Sequence, residues 1–549
     1  MPQAFASNVL MPMVDTRPAD SECLPFSSIP HTSRLFQDFL HHFERVQQFY
    51  ARPPLDSSWW NEEQQRIDYP AERRQAVAAI LERQNREFGA GEKTLANIER
   101  LRAGSAAVVT GQQVGLFGGP LFCLLKALTA AVHAEKIGAV PVFWLATEDH
   151  DFEEINYVNF PETDHLKKFT LNVPHAEGAP VGNILFSDEI TAAVQPVQAL
   201  FGASEVAELL AASYRPGENF GSAFAKFYAR ACSELGIIFL DPLDPDLHQI
   251  ASPVFTKALE QAGAINQELL ERSQNLESAG YHAQVKVTPA HTLCFYFEDG
   301  VRTPVRLDDK DFVVGGRKFS RQEMLEEAQR CRDRFSANVL LRPIVQDFLL
   351  PTLFYIGGPA EIAYFAQIET VYRSLAKRVT PVLPRFFATL VEPRQAKLLE
   401  RYGLKLADTF AGPEKLREII AQRGLPESIT RSFDAAGDQL ETALQLIHEP
   451  LEKLDRTLVD AAANAGSKMR HQLQALREKA ARAEARKDSE IQRHADELST
   501  LLYPNKDFQE REIGAAYFLL KYGTGVAGRL KESLKQGCGE HQVAPITSP

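Results

Sequence analysis

Residues 106–147 read AAVVTGQQVGLFGGPLFCLLKALTAAVHAEKIGAVPVFWLAT, and this stretch decides the fold. A short β-rich run leads into a glycine-rich turn, an apolar helical run follows between Pro120 and Gly138, and a second β-rich run ends the unit. Proline suits the first position of a helix, and glycine suits its C-terminal end. A unit of this length predicts two buried parallel strands joined by a right-handed crossover. We therefore expect a doubly wound α/β core.

The sequence on either side of this unit predicts further domains. A chain of 549 residues is long enough for about two or three domains. Residues 1–165 hold N-terminal helices and the first part of the α/β core, and the α/β pattern resumes in residues 336–425. Between them, residues 166–335 contain helices and closely spaced strands with a turn at Asp299-Gly300. This pattern predicts an insertion that ends in an antiparallel meander.

Residues 426–510 predict an α-helical coiled-coil domain. Apolar residues alternate in steps of three and four, which is typical of a coiled-coil seam. Pro450 and Gly466 interrupt the seam, so we expect a kink or a hairpin there. Residues 511–549 form a C-terminal segment, and its end after about residue 530 should be loosely ordered. The seam begins with Leu440, Leu444, Ile447, Leu451, Leu454 and Leu458.

The composition excludes several classes of protein. Lys and Arg number 60 and Asp and Glu number 72, and this net charge of −12 argues against a nucleic acid partner. No apolar run reaches the ~18 residues of a membrane helix, and the N-terminus lacks the charged start of a secretory signal. The six cysteines lack the short spacing of zinc sites, which predicts reduced thiols in the cytoplasm and no metal site. They are Cys23, Cys123, Cys232, Cys294, Cys331 and Cys538.

The glycine-rich turn after the first strand is the first candidate site. Its glycines let a ligand approach the backbone, and N–H groups before a helix form a ready anion site. The turn matches neither the dinucleotide fingerprint nor the P-loop as those motifs are written. The alternative is a tight turn whose glycines serve geometry alone. The residues concerned are Gly111, Gln112, Gln113, Gly115, Gly118 and Gly119.

The second candidate is an acidic run after the second strand, which contains Glu148, Asp149, His150 and Asp151. Ligands of open α/β sheets bind outside the carboxyl ends of the strands, so this run and the glycine-rich turn should face one crevice. His150 is a candidate general base, and the carboxylates are candidate ligands of Mg²⁺. The alternative is a solvated acidic loop.

The third candidate site contains the same Gly-Gly-Pro sequence as the first. Gly-Gly-Pro at 357–359 precedes an amphipathic helix, as it does at 118–120. Upstream, Arg342 is a candidate for bidentate binding of a carboxylate or phosphate. The alternative is an ion pair between Arg342 and Asp347. The candidate binding residues here are Arg342, Gln346, Asp347, Gly357, Gly358 and Glu361.

Four long motifs in register resemble the BshC family, the cysteine-adding enzymes of bacillithiol biosynthesis. The resemblance runs in order from about residue 30 to 523 and is much more specific than any single pattern above. The motifs are TGQQVGLFGGPLFCLLKA, VPVFWLATEDHDFEEIN, NVLLRPIVQDFLLPTLFYIGGPAEIAYFAQ and LYPNKDFQERE.

The resemblance implies a fold and a reaction. The fold is a Rossmann-like core akin to class I nucleotidyl-transferases, with connecting-peptide insertions and a coiled-coil domain that pairs two subunits into a homodimer. The reaction joins the carboxyl group of L-cysteine to the amino group of glucosaminyl malate, the last step toward bacillithiol. The alternative function is a non-catalytic coiled-coil dimer that binds a nucleotide or thiol and scaffolds pathway enzymes.

The resemblance also suggests roles for the candidate residues. Class I relatives activate a carboxyl group by adenylation, but their histidine-bearing signature is absent here and Gly111-Gln112-Gln113 occupies its place. We expect His150, Asp149 and Gln113 to be catalytic and the other candidates to bind substrate or nucleotide. Arg342 and the glycine-rich turn would stabilise phosphate charge, and the acidic run would bind the amine or accept its proton. The cofactor stays open between ATP and another nucleotide, with Mg²⁺ as a candidate ion.

Overall fold

The computed structural model describes residues 22–423, 427–485, 489–535 and 538–546. No helix within those ranges combines the length and the apolar character that a membrane crossing requires. The N-terminal part is mostly helical and leads to the α/β core. Its elements are β1 (Glu22–Leu24), α1 (Arg34–His41), α2 (Trp60–Gln65), α3 (Ala71–Glu87) and α4 (Glu92–Ala103).

The first part of the core contains the predicted strand–helix–strand unit and a helical extension. Its elements are β2 (Ala107–Gln112), α5 (Leu121–Ile137), β3 (Val140–Leu145), α6 (Phe152–Ile155), β4 (Tyr157–Pro161), β5 (Leu166–Thr170), α7 (Glu189–Phe201), α8 (Glu205–Ser213), α9 (Phe220–Ala231) and β6 (Ile238–Leu240). The second part contains α13 (Arg342–Leu349), β12 (Thr352–Gly357), α14 (Pro359–Leu375) and β13 (Val382–Pro384).

These two parts build one five-stranded parallel sheet in the order β13-β12-β2-β3-β6. Every residue of β3 and of β12 is buried, as expected for strands covered on both faces. The helix α5 begins one residue after Pro120 and ends at Gly138, which has a left-handed φ of 69°. The predicted Rossmann-like core is confirmed.

The insertion is smaller than the predicted range 166–335. Strand β6 lies within that range but pairs with β3 in the central sheet, so the interruption of the sheet begins only after Leu240. The apolar run at 236–242 predicts this strand, but the prediction assigned it to the insertion, because local sequence does not show that it pairs with β3. The inserted elements are α10 (Pro245–Glu260), α11 (Ala262–Ser278), β7 (His291–Glu298), β8 (Val301–Asp308), β9 (Asp311–Val314), β10 (Arg317–Phe319), α12 (Arg321–Arg330) and β11 (Phe335–Ala337).

The inserted strands form the predicted antiparallel sheet, in the order β10-β9-β8-β7-β11. Asp299 and Gly300 connect β7 to β8, and both have positive φ values, 51° and 79°. Positive φ at both central residues is typical of the tight hairpin turn that Asp-Gly predicts.

The C-terminal region is helical except for two strands. Its elements are β14 (Phe387–Val391), α15 (Pro393–Arg401), α16 (Leu406–Thr409), α17 (Pro413–Arg423), α18 (Glu427–Leu454), α19 (Thr457–Ala485), α20 (Ser489–Leu502), α21 (Gln509–Glu512), α22 (Ala515–Tyr522), α23 (Val526–Lys535) and β15 (His541–Pro545). The predicted domain boundary between 425 and 426 lies outside the described residues.

Helices α18 and α19 form the predicted hairpin, with its turn between Leu454 and Thr457 rather than at Pro450 or Gly466. Pro450 lies within α18. At Gly466 the helices approach so closely that an added Cβ would lie 2.8 Å from a methyl carbon of Leu444. Glycine therefore permits the close packing of the hairpin instead of interrupting it.

The two ends of the chain meet, which corrects two expectations. Strand β15 pairs with β1 and β14 in a three-stranded sheet, so the segment after residue 530 is not loosely ordered where it is described. A disulfide joins Cys23 to Cys538, so these two cysteines are not reduced thiols. They are 515 residues apart, and only the pairing of β1 with β15 brings them together. The other four cysteines are free.

A candidate active site at the strand ends

The glycine-rich turn and the acidic run meet at the carboxyl ends of β2 and β3. Gln112 pairs with Leu145 across the two strands, so both strands end at the same level of the sheet. Just beyond, Nε2 of Gln113 donates a hydrogen bond to Oδ2 of Asp149 at 3.1 Å. The structure thus brings together the residues that the sequence expects to face one crevice.

Asp149 and His150 are the accessible members of the acidic run. Their side chains are 37% and 42% exposed. Oδ1 of Asp149 accepts the main-chain N–H of His150 at 2.9 Å, which fixes the carboxylate against the loop. Both side chains can therefore contact a ligand at the strand ends.

Glu148 is the buried member of the acidic run. Its Oε1 lies 3.2 Å from Nε2 of the buried His248 in α10. Burial opposes the charge of His248, but the adjacent Glu148 carboxylate raises the pKa of His248 above its ordinary value. This carboxylate is already paired inside the protein, and the binding of a ligand by Glu148 stays a prediction. Asp151 is exposed and precedes α6.

Arg302 of the insertion reaches the same site, and sequence reasoning missed it. The guanidinium lies 3.5 Å from Asp149 Oδ1 and 3.4 Å from Nδ1 of His150. Arg302 is nine-tenths buried, and burial lowers its pKa while Glu148 and Asp149 oppose that shift. No local signal marks this arginine, because β8 and the strand ends meet only in the folded chain.

Arg342 approaches the site from the other side. Its Nη2 donates a hydrogen bond to the hydroxyl of Tyr364 at 2.5 Å. Burial opposes the charge of Arg342, but its neighbours, Asp149 among them, raise its pKa. The predicted alternative of a pair between Arg342 and Asp347 is wrong. We call Gln113, Asp149, His150, Arg302 and Arg342 the strand-end cluster.

A buried lysine connects the turns after β2 and β12. Nζ of Lys126 donates to the carbonyl of Gly111 and to Oε1 of Gln112, both at 2.8 Å, and lies 2.5 Å from Oε2 of Glu361. Burial lowers the pKa of Lys126, and Glu361 opposes this shift. Burial also acts against the charge of Glu361, but Lys126 and Tyr355 hold the Glu361 pKa below its ordinary value. Sequence reasoning missed Lys126, which lies within an apolar helix.

The glycines of the first Gly-Gly-Pro turn do not face a ligand. The N–H of Gly118 donates to the Tyr214 hydroxyl at 2.8 Å, and the N–H of Gly119 donates to the Leu116 carbonyl at 3.0 Å. An added Cβ at Gly115 would lie 2.9 Å from the Cα of Gly119. The predicted anion site is wrong for Gly118 and Gly119, because their donors are already used. The close contacts at all three glycines fit the alternative of a packing role.

The second Gly-Gly-Pro turn is closed by its own helix. The N–H of Gly358 donates to Oε2 of Glu361 at 2.8 Å, and the carbonyl of Gly357 accepts from the main chain of Arg385 at 2.9 Å. Glu361 thus caps the start of α14 while it pairs with Lys126. Gly357 and Gly358 shape the site without presenting the Gly358 N–H to a ligand.

Two predicted binding residues lie outside the strand-end cluster. Asp347 accepts a hydrogen bond from the Tyr372 hydroxyl at 2.5 Å and lies near Arg378 and Thr352, at the start of β12. That is the opposite end of the strand from the cluster. Gln346 is buried. The prediction for Asp347 is wrong, because α13 carries it away from the end where Arg342 lies.

These residues do not form a phosphate cradle or a metal site. The Gly118 and Gly119 N–H groups that would cradle a phosphate are engaged within the protein. In the described part of the chain, no three His, Cys, Asp or Glu side chains gather so as to hold a metal ion. We therefore derive no chemical step through a nucleotide or Mg²⁺ at this site.

A separate cavity of about 640 Å³ lies beside the start of α14. The first turn of α14 and the chain around residues 503–511 form part of its wall, and it includes no residue of the strand-end cluster. The buried pair between Arg385 and Glu510, 2.6 Å apart, supports that wall. The strand-end cluster, unlike this cavity, lies at the carboxyl ends of the central strands, where ligands of open α/β sheets bind.

Comparisons with known proteins agree with this architecture. The family model "Bacillithiol biosynthesis BshC, N-terminal Rossmann-like domain" matches residues 20–386. The model "Bacillithiol biosynthesis BshC, C-terminal coiled-coil domain" matches residues 388–546. The two models thus divide the chain near β14, earlier than the predicted start of the coiled-coil domain at 426.

Relatives match almost the whole chain. One from Koribacter versatilis (strain Ellin345) is 44% identical over 531 residues, which cover 96% of this chain and 99% of the relative. Another from Solibacter usitatus (strain Ellin6076) is 36% identical over 539 residues, which cover 95% and 99%. Both are named "Putative cysteine ligase BshC". The chain therefore belongs to the BshC family, the cysteine ligases of bacillithiol biosynthesis.

Proposed function

We propose that the strand-end cluster joins the carboxyl group of L-cysteine to the amino group of glucosaminyl malate. The observation that carries this proposal is the hydrogen bond between Gln113 and Asp149, beside Arg302. It brings residues from two strand ends and the insertion to one accessible point. Opposite charges at one point suit a reaction between a carboxyl group and an amine.

In this proposal, Arg342 binds one of the two reacting groups and Asp149 binds the other. The guanidinium of Arg342 binds the cysteine carboxyl group, because its planar fork matches a carboxylate. The Asp149 carboxylate, oriented by Gln113, binds the amino group of the second substrate. Bound in this way, the nitrogen is directed at the carboxyl carbon, and orientation alone lowers the barrier of such a reaction.

Glu154 is the proton acceptor in this proposal. Partial burial raises its pKa, with Asp151 and Asp149 adding to that shift and Gln113 opposing it. A carboxylate with a raised pKa is better suited to accept a proton than an ordinary one. The cysteine carboxyl enters as an activated acyl donor of ester or anhydride type. The amine loses its proton to Glu154 as its nitrogen forms the bond to the carboxyl carbon, and the C–O bond to the activating group breaks as that group leaves with the electron pair.

The hairpin of α18 and α19 supports the proposal of a homodimer. Arg470–Glu441 and Arg477–Asp434 ion pairs join the two helices at 2.9 and 3.0 Å, while large apolar side chains stay exposed. A second copy of the hairpin would cover them. The exposed side chains include Leu446 at 73%, Leu454 at 77% and Leu476 at 56%. We further propose a cytoplasmic location, which rests on the biosynthetic role of the family.

The test uses a bacterium that lacks its own cysteine-adding enzyme and makes glucosaminyl malate. Expression of the wild-type chain should produce bacillithiol, measured by mass spectrometry of the thiol pool. Asp149→Asn should abolish it and let glucosaminyl malate accumulate. Glu153→Gln removes an exposed carboxylate from the neighbouring helix α6 and should leave bacillithiol unchanged.

Two outcomes would contradict the proposal. If the wild-type chain forms no bacillithiol, this chain does not perform the reaction, and a non-catalytic scaffold is supported. If Asp149→Asn forms as much bacillithiol as Glu153→Gln, the reaction takes place elsewhere in the molecule. Circular dichroism of the purified variants shows whether each one is folded.

A further inference from the structure

The position of Arg302 determines which nitrogen of His150 carries a proton. Nη1 of Arg302 lies 3.4 Å from Nδ1 of His150. A guanidinium contains only donors and stays charged in proteins. A hydrogen bond between the two groups therefore requires Nδ1 of His150 to be the acceptor. A neutral imidazole with a bare Nδ1 carries its proton on Nε2.

Arg302 is held too firmly to turn away from His150. Its Nε donates to the Ser336 hydroxyl at 3.0 Å, and its Nη2 donates to the Ala337 carbonyl at 2.6 Å. The guanidinium also lies 3.9 Å from the centre of the Phe295 ring. The side chain thus reaches from β8 across β7 to β11, and only Nη1 is directed toward the acidic run.

Asp149 does not stabilise the opposite tautomer. Its Oδ1 lies 3.8 Å from Nδ1 of His150, which is too far for a hydrogen bond. The same oxygen already accepts the main-chain N–H of His150 at 2.9 Å. The Phe295 ring, 6.0 Å from the imidazole between ring centres, adds no charge. Arg302 is thus the closest charged partner of the His150 ring among the described residues.

We propose that Arg302 is a positioning residue that holds His150 in the Nε2–H tautomer, so that His150 donates a hydrogen bond to the cysteine carboxyl oxygen. This rests on the proposed function, because the oxygen gains negative charge only in the amide-forming step. As the amine nitrogen forms its bond to the carbon of an activated cysteine carboxyl (an ester- or anhydride-type acyl donor), the C=O electron pair moves to oxygen, where the Nε2–H stabilises it. The pair then returns to reform C=O, and the bond to the activating group breaks with its electrons leaving on that group. His150 then accepts no proton, which overturns its expected role as general base.

The first test compares three substitutions of His150 in the bacterium described above. Glutamine places an amide N–H near the position of Nε2, asparagine places one near Nδ1, and alanine places none. We expect His150→Gln to keep the rate of bacillithiol formation within about tenfold of wild type, because a donor remains. His150→Asn and His150→Ala should each lose ~10²- to 10³-fold, as removal of one oxyanion donor does. Equal losses for glutamine and alanine would overturn the donor role.

The second test observes the tautomer directly, by nuclear magnetic resonance of the full chain with ¹⁵N-labelled histidine. The His150 signals are those that His150→Gln removes. We expect the wild-type signals to show a bare Nδ1 and a protonated Nε2. In Arg302→Met, the proton should move toward Nδ1, where Asp149 Oδ1 becomes the nearest charged group. A protonated Nδ1 in the wild-type chain would overturn the proposal, whether or not Arg302→Met folds.

The two tests separate failure of this inference from failure of the proposed function. The resonance experiment needs no substrate, so it reports the tautomer even if the chain forms no bacillithiol. If the wild-type chain forms bacillithiol but its Nδ1 is protonated, the function stands and the role of Arg302 is wrong. If Nδ1 is bare but no bacillithiol forms, the proposed reaction is wrong, and with it the donor role.

Discussion

The same three residues, Gly-Gly-Pro, follow β2 and β12, yet the two turns differ in what holds them. In the first turn, Gly118 and Gly119 have φ values of +85° and +67°, and Tyr214 and Leu116 bind their N–H groups. In the second turn, Gly358 has a φ of −86°, and Glu361 of the following helix binds its N–H. The first turn is thus held by the distant Tyr214 and by its own Leu116, whereas Glu361 of the following helix binds the Gly358 N–H in the second.

This difference separates the shape of a turn from its chemistry. Glycine-rich sequence before a helix predicts the strand-to-helix turn in both cases, but in neither does the Gly-Gly pair offer its N–H groups to a ligand as an anion site would. The chemical groups of the site are side chains outside the Gly-Gly pairs, above all Gln113 and Asp149. The comparison therefore predicts that the two turns will respond differently to equivalent substitutions.

The largest effect is expected at Glu361, which caps the second turn and pairs with Lys126. Glu361→Gln leaves the Lys126 ammonium, which is 2% exposed, without its counter-charge. Breaking a buried pair in this way typically costs ~3–5 kcal/mol, because one charge stays buried. The free energy of unfolding in urea measures the cost. The double variant Lys126→Met with Glu361→Gln should recover part of it, and no recovery would show that the pair is not coupled.

The pH dependence of this pair provides a control. Because the folded pKa of Glu361 lies below the ordinary 4.5, its contribution to stability is complete above that value and is lost as the pH falls through the folded pKa. The difference in unfolding free energy between wild type and Glu361→Gln should therefore narrow below pH 4.5. A difference that stays constant down to acid unfolding would contradict the assigned pair.

A smaller effect is expected when each turn receives one methyl group. Gly118→Ala forces a positive φ on alanine, and its Cβ would lie 3.1 Å from the Tyr228 ring, so we expect a loss of ~1–3 kcal/mol. Gly358→Ala is the matched control. Its φ suits any residue and its nearest contact is 3.5 Å, so its effect should stay within about 0.5 kcal/mol. Thermal melts of both variants measure the difference, and equal losses would contradict the contrast between the turns.

The smallest effect is expected at Tyr214, which follows α8 and binds the Gly118 N–H of the first turn. Tyr214→Phe removes the hydroxyl that accepts the Gly118 N–H, and the buried N–H then lacks a partner. Such a loss costs ~1–2 kcal/mol. Urea unfolding measures it. In the double variant with Gly118→Ala the two costs should not add, because both act on the same turn, and simple addition would contradict this link.

Much of the fold follows from local sequence. The unit from β2 to β3 is predictable because buried parallel strands are continuously apolar and Gly138 ends the helix between them. The hairpin of α18 and α19 follows from the spacing of its leucines. Strand β15 and the disulfide between Cys23 and Cys538 do not, because they depend on pairing between residues 515 apart.

The site was predictable only in part. The meeting of Gln113 with Asp149 follows from the rule that parallel strands place their carboxyl ends together. Arg302 and Lys126 could not be found in this way, since one comes from a separate sheet and the other from the middle of an apolar helix. Local sequence also could not show that Glu148 pairs with His248, because α10 lies far along the chain.

The most direct test of the account is a crystal structure of the chain with L-cysteine and glucosaminyl malate bound. We expect the substrate amino group within ~3.2 Å of the Asp149 carboxylate, which is the outer limit of an ordinary hydrogen bond. The cysteine carboxyl group should contact Arg342. Both substrates bound only in the 640 Å³ cavity beside Arg385, with the strand-end cluster free of ligand, would contradict the account.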